Sequence, residues 1–324
     1  MKYRKALVVG IDDYCKCPLN GCCNDSEAIK VLLSKHENGG PNFEVRQKNN
    51  IRTKGELKRL IQECFSGDAD VALFYYSGHG HIDSIGGYLV TPDYCDDDYG
   101  VSLQDVLTIA NNSKCKERII ILDSCYSGFM GSISTQGQNT SVINEGVTIL
   151  TASRSNETSS ETGGHGVFTS LLIEALEGRA ADVTGHITVG SIYAFIDKAL
   201  GTWDQRPVFK TNVTRFTSLR NVEPQVDIKI IRKLADYFPS DAIEYDLNPS
   251  FEPTNSNEVD HKVIEPYAIP ENVEIFKNLQ KLEGVGLIVP VGEEHMYYAA
   301  MNSKSCKLTA LGKQYWRLVK ENKI

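Results

Sequence analysis

The sequence predicts an α/β fold, a mostly parallel sheet sandwiched by helices, followed by a smaller α+β module with a winged-helix-like profile. Three observations lead there. Before about residue 220, continuous apolar runs of strand length alternate with amphipathic helical stretches, the pattern of strands covered on both faces. After it, a proline-punctuated polar stretch gives way to a short helix–strand–strand–helix pattern. Two of the apolar runs end abruptly in glycine-flanked polar motifs, where sheets of this kind place their sites.

In chain order, Lys5 to Ile11 (KALVVGI) reads as a buried strand. Asn24 to Ser34 follows as a helix with Asn24 or Asp25 near its N-cap. Thr53 to Phe65 is a second helix, opened by Thr53 with Glu56 at capping-box spacing. Asp70 to Tyr76 (DVALFYY) is a strand, Leu103 to Asn111 a helix, and Arg118 to Leu122 (RIIIL) and Gly146 to Ala152 are strands. Phe168 to Leu176 and Val189 to Leu200 are helices. The peptide chain divides into a domain over 1–220, a linker or extension over 221–270 carrying Pro239, Pro249, Pro253, Pro266 and Pro270, and a module over 271–324. In that module Glu271 to Leu282 is expected as a helix, Gly286 to Val291 and Met296 to Met301 as a hairpin, and Leu308 to Lys320 as a closing helix.

With 324 residues, 41% apolar and 23% charged, the chain has the balance of a globular protein with a large core. Its net charge of −8 argues against a surface that binds nucleic acid or anionic lipid as a whole. No apolar run approaches a membrane span, and Asp12 and Asp13 cut the N-terminal run short of a signal segment, so the expected location is the cytoplasm. Nine cysteines, an odd number, are expected as reduced thiols. Cys15, Cys17, Cys22 and Cys23 crowd together but lack paired zinc-finger spacing.

The chemistry lies in two motifs. Tyr75-Tyr76-Ser77-Gly78-His79-Gly80-His81 follows one strand and Asp123-Ser124-Cys125-Tyr126-Ser127-Gly128 another. A thiol is a weak nucleophile until a base raises its thiolate fraction, and His79 on a neighbouring strand end would supply that base to Cys125. His79-x-His81-x-Asp83 also approximates a zinc-hydrolase signature, but Ser84 stands where its last histidine belongs.

YYSGHGH and DSCYSG, in this order and at this spacing, resemble the catalytic motifs of metacaspases and their bacterial relatives, in the caspase-like cysteine peptidase clan. Leu19 to Asp25 (LNGCCND), Ala152 to Glu157 (ASRSNE) and Gly166 to Thr169 (GVFT) extend the resemblance over roughly residues 3–212. It implies Cys125 as nucleophile, His79 as general base and acid, and an oxyanion hole from the backbone N–H groups of Gly80 and Cys125. It also implies that Asp25 and Asp123 line the pocket for the residue before the scissile bond, which two carboxylates fit to arginine, then lysine. Partners are thus protein or peptide substrates with Arg or Lys at the cut. No cofactor is required. Asp93, Asp96, Asp97 and Asp98 form a candidate calcium site by the same resemblance, with a solvated loop as the plainer account.

By analogy with bacterial relatives, the chain is expected to be a regulated effector of defence or cell death, activated through its C-terminal module by a nucleotide signal or a protein partner. The alternative is a DNA-binding winged-helix regulator carrying a non-catalytic caspase-like domain. Residues 271–324 hold eight Lys/Arg and six Asp/Glu with no basic stripe, which disfavours nucleic acid.

Overall fold

A computed structural model describes residues 3–95, 98–124, 133–135, 138–140, 142–152, 161–162, 165–201, 206–258 and 262–324. The chain forms two compact units, Met1–Glu223 and Pro224–Ile324.

The first unit is built on six strands: β1 (Arg4–Gly10), β2 (Glu44–Asn49), β3 (Val71–Ser77), β4 (Glu117–Asp123), β5 (Val147–Thr151) and β6 (Val208–Asn212). Their order across the sheet is β6-β5-β4-β3-β1-β2. Every neighbouring pair is parallel except β5 with β6. Because side chains alternate along a strand, the apolar runs sort into two cores. Leu7, Val9, Phe74, Tyr76, Ile120 and Leu122 face one side with the helices α2 (Lys54–Phe65) and α3 (Leu103–Asn111). Ala6, Val8, Leu73, Tyr75, Ile119 and Ile121 face the other, with α1 (Cys22–Ser34), α4 (Val167–Glu174) and α5 (Val189–Leu200). β2 and β6 were not expected from sequence. Both are edge strands with polar residues (EVRQKN, VFKTN), so neither carries the apolar run that marks a strand covered on both faces.

Helix caps show how loops are tied to the sheet. Thr53 accepts from Glu56 N–H as expected. At α1 the expectation of an Asn24 or Asp25 cap is corrected. The N-cap is Gly21, and the carboxylate of Asp12, just past β1, accepts from the N–H groups of Cys22 and Cys23. That frees Asp25, a turn further in, for other work. Arg118 on β4 is buried, and its guanidinium donates to the carbonyls of Ala110, Cys115, Lys116 and Glu145. It pins the end of α3 and the loop before β5 to the start of β4.

The second unit includes the stretch expected as a linker. Residues 224–270 carry helices Ile228–Arg232 and Leu234–Tyr237, a strand Tyr245–Asp246 and a 3-10 turn Pro249–Phe251. Buried Asn255 holds this region together, donating to the carbonyls of Pro249, Ile264 and Pro266 and accepting from Ile264 N–H. The strand expected at Met296–Met301 is a helix. Methionine and alanine favour helix, and a six-residue apolar run does not reveal its own period. Ile288–Val291 pairs instead with Ser305–Leu308, and Tyr245–Asp246 completes a three-stranded antiparallel sheet. The closing helix begins at Ala310, capped by Thr309. Gly312 lets it lie directly on this sheet, since a Cβ there would fall 1.8 Å from the carbonyl oxygen of Leu287. Among the described residues no helix is long and apolar enough to cross a membrane.

Candidate active site

The site is assembled at the carboxyl ends of β1, β3 and β4. Ser77, the last residue of β3, pairs with Asp123, the last residue of β4. His79 and Cys125 each stand two residues further along the chain. Cys125 lies outside the described residues, as do Asp96 and Asp97.

His79 is clamped through its backbone on both sides. Its N–H donates to the Tyr14 hydroxyl at 3.1 Å, and its carbonyl accepts from the Tyr76 hydroxyl and from Val90 N–H, each at 3.0 Å. The two tyrosine hydroxyls lie 3.0 Å apart. Gly78 is required here by close approach, since a Cβ would fall within 2.6–2.7 Å of both hydroxyls. The Tyr14 ring packs at 4.6 Å from the imidazole. His79 Nε2 lies 2.7 Å from the carbonyl oxygen of Cys17. A carbonyl only accepts, so Nε2 carries a proton, and in the neutral imidazole the lone pair lies on Nδ1. Cys17 thus matters through its backbone, a role that no side-chain pattern announces.

Asp25 and Asp123 meet around Ser77. The Ser77 hydroxyl donates to Asp25 Oδ2 at 2.8 Å. Asp25 Oδ1 lies 2.7 Å from His165 Nδ1. Asp123 Oδ2 accepts from both the N–H (3.2 Å) and the hydroxyl (2.6 Å) of Thr169, in the first turn of α4. The Tyr75 hydroxyl is 2.6 Å from the same Thr169 hydroxyl. Gly166 packs against Asp123, where a Cβ would come within 2.7 Å of Oδ2. Both carboxylates are buried, with 2% and 8% of their surface exposed. Burial raises the pKa of Asp25. It pushes Asp123 up to about 6; the Thr169 hydroxyl partly offsets this, and the neighbouring charge of Asp25 adds to it. Burial also drives the Cys22 thiol, beside Ser77, well above its ordinary value. Two carboxylates held buried together are costly, and a cation that reaches both relieves the cost.

Sequence reasoning named Asp25, Asp123, His79 and Gly80 but missed Ser77, Thr169, Tyr14 and His165. For Thr169 a signal existed, since it closes the GVFT segment. Gly80 opens a short strand, Gly80–Ile82, in register with Leu89. His81 packs on Tyr99 of the strand Asp98–Ser102, and Asp83 accepts from the N–H groups of Ile85 and Gly86, so both are engaged locally. The described members of the acidic run, Asp93 and Asp98, are also engaged. Asp93 accepts from Lys54 N–H and the Thr91 hydroxyl, and Asp98 pairs with Lys54 Nζ at 2.7 Å. Among the described residues no three His, Cys, Asp or Glu side chains group to hold a metal.

Curated protein sequences include no match to this chain. One solved structure similar to it is caspase-1 from Spodoptera frugiperda. The likeness has a TM-score of 0.50 and covers 68% of this chain and 91% of that one at 16% identity, a likeness of fold. The family model of the caspase domain matches residues 3–217, about two thirds of the chain and nearly all of the first unit. With that match over a sheet whose strand ends lead to His79 and buried Asp123, beside Asp25 of α1, the chain belongs to the caspase family of cysteine peptidases.

Proposed function

We propose that this protein is a cysteine endopeptidase that cleaves after arginine, and less well after lysine, with a Cys125–His79 dyad. The observation that carries the specificity is the pair of buried carboxylates, Asp25 and Asp123, gathered at Ser77 two residues from His79. A guanidinium offers several N–H donors in a planar fork and suits two such acceptors; a lysine ammonium does so less completely. An aspartyl side chain would meet like charge and is excluded.

The chemistry follows from the histidine tautomer. Nδ1 of His79 takes the proton of the Cys125 thiol, and the thiolate attacks the scissile carbonyl carbon. The N–H groups of Gly80 and Cys125 receive the oxyanion, each donor worth about 10²–10³ in rate. The imidazolium then gives its proton to the leaving amine and a thioester remains. Water, deprotonated by His79, attacks that thioester, the acid is released and the thiol regains its proton. The Nε2–H bond to Cys17 keeps the ring in one tautomer and orientation through both half-reactions.

The second unit is proposed to regulate this activity, through a nucleotide or protein activator, in a bacterial defence or cell-death setting. The need for control supports this, since a peptidase that cuts after arginine requires restraint. The test of specificity is cleavage-site profiling on a peptide library, with Cys125→Ala as control. Arginine, then lysine, is expected before the cut. Efficient cleavage after aspartate would refute the pocket assignment.

A further inference from the structure

Two carboxylates aimed at a substrate cation should offer it unoccupied oxygens, yet one is already taken from within. Asp25 Oδ2 is held by Ser77, and Oδ1 by Nδ1 of His165 at 2.7 Å. With Asp25 ionised, Nδ1 carries the proton and donates it. We propose that His165 is a built-in occupant of the acidic pocket, and that a substrate arginine binds Asp25 by displacing this imidazole. The inference rests on the arginine-pocket reading above and adds the residue that sets how tightly that pocket binds.

The placement supports displacement over permanent structure. Ser77, which donates to Asp25 Oδ2, and Thr169, which donates to Asp123 Oδ2, are buried, whereas the side chain of His165 is 30% exposed above Asp25 at 2%. His165 is thus the member of this cluster on the solvent side, from which a displacing side chain can approach. Its position is set by its neighbours in the chain. His165–Gly166 is a two-residue strand paired with Glu161–Thr162, and Gly166 is the N-cap of α4, pressed against Asp123. The backbone is therefore anchored, while the ring can leave Asp25 by changing rotamer, without melting the helix. The imidazole and the guanidinium are planar donors competing for one oxygen. Arginine gains charge-assisted bonds to Asp25 and Asp123 and loses the bond His165 had made. Removing His165 removes that competition, worth roughly tenfold in affinity, the value of about one such hydrogen bond.

The test uses the full chain at pH 7.5 with Nα-acetylarginine amide as probe. Its dissociation constant is measured by calorimetry for the wild type, His165→Ala and His165→Asn. In wild-type protein the imidazole resonances of His165 are followed by NMR during the same titration, which needs no variant to fold. The expected result is binding about tenfold tighter in His165→Ala and an intermediate gain in His165→Asn, whose amide can still donate to Asp25. The His165 resonances should move to those of a solvent-exposed imidazole at saturation. Unchanged or weaker binding in His165→Ala, or His165 resonances that stay put at saturation, overturns the inference while the arginine pocket stands. Failure of the probe to bind either the wild type or the variants overturns both.

Discussion

Replacing Asp123 by asparagine should make the protein more stable and less active, and the size of the first effect follows from burial. Asparagine keeps an oxygen to accept from the N–H and hydroxyl of Thr169 but carries no charge. Burial pushes Asp123 up to about 6 from an ordinary 3.8. At about 1.4 kcal/mol per pH unit, a displacement of roughly two units is worth about 3 kcal/mol. The sign follows from which form the fold prefers. A raised carboxyl pKa means the folded protein favours the protonated acid, so its stability contribution is intact below about 3.8 and is lost as pH rises through 6. At pH 8 the variant should therefore melt higher by about 6–12 °C, taking about 2–4 °C per kcal/mol for a unit of this size. Below pH 4 the two proteins should melt alike. Against an arginyl substrate, the loss of a charge-assisted bond should lower kcat/KM by about 10- to 150-fold. Melting by calorimetry at pH 4 and pH 8, with a fluorogenic arginyl peptide, measures both. A variant that is less stable at pH 8, or that differs equally at the two pH values, would show that Asp123 is not held against its charge.

His79→Ala should abolish peptidase activity with the fold retained, while His81→Ala, which only loses its stack on Tyr99, should leave most of it; the reverse ranking in a peptide assay reassigns the base. No lysine or arginine lies between Arg118 and Arg154, so an enzyme specific for these residues cannot cut itself there. Active enzyme is expected as a single chain, and N-terminal sequencing that finds a new terminus between Tyr126 and Gly146 contradicts either this or the specificity. Removing 224–324 should change the basal rate and any response to candidate nucleotides, measured against full-length protein; matching rates and responses would end the proposal that the second unit controls the first.

Much of the fold is written in one dimension. The runs around Ala6–Val9, Ala72–Tyr76 and Ile119–Leu122 are apolar without interruption, and Val147–Leu150 is broken only by Thr148, because each strand is covered on both faces, and such runs need no partner to be recognised. Thr53 and Glu56 mark their helix start for the same reason, since a cap is local chemistry. The placement of His79 beyond a strand end was equally legible, because the glycines and the loss of apolar character lie beside it in the chain. Other features depended on what arrives from elsewhere. The edge strands Glu44–Asn49 and Val208–Asn212 are polar and gain their identity from pairing, and Met296–Met301 becomes a helix because Ser305–Leu308 supplies the strand that Ile288–Val291 needs. Within the site, His79 Nε2 meets a carbonyl 62 residues away, and Asp123, pushed up by burial, accepts from Thr169, 46 residues away. Asp25 is shared between Ser77 and His165, at separations of 52 and 140 residues. Residue types at fixed spacing announce which groups can react. Burial and hydrogen bonding set their protonation and occupancy, and those arise only when distant segments are packed together.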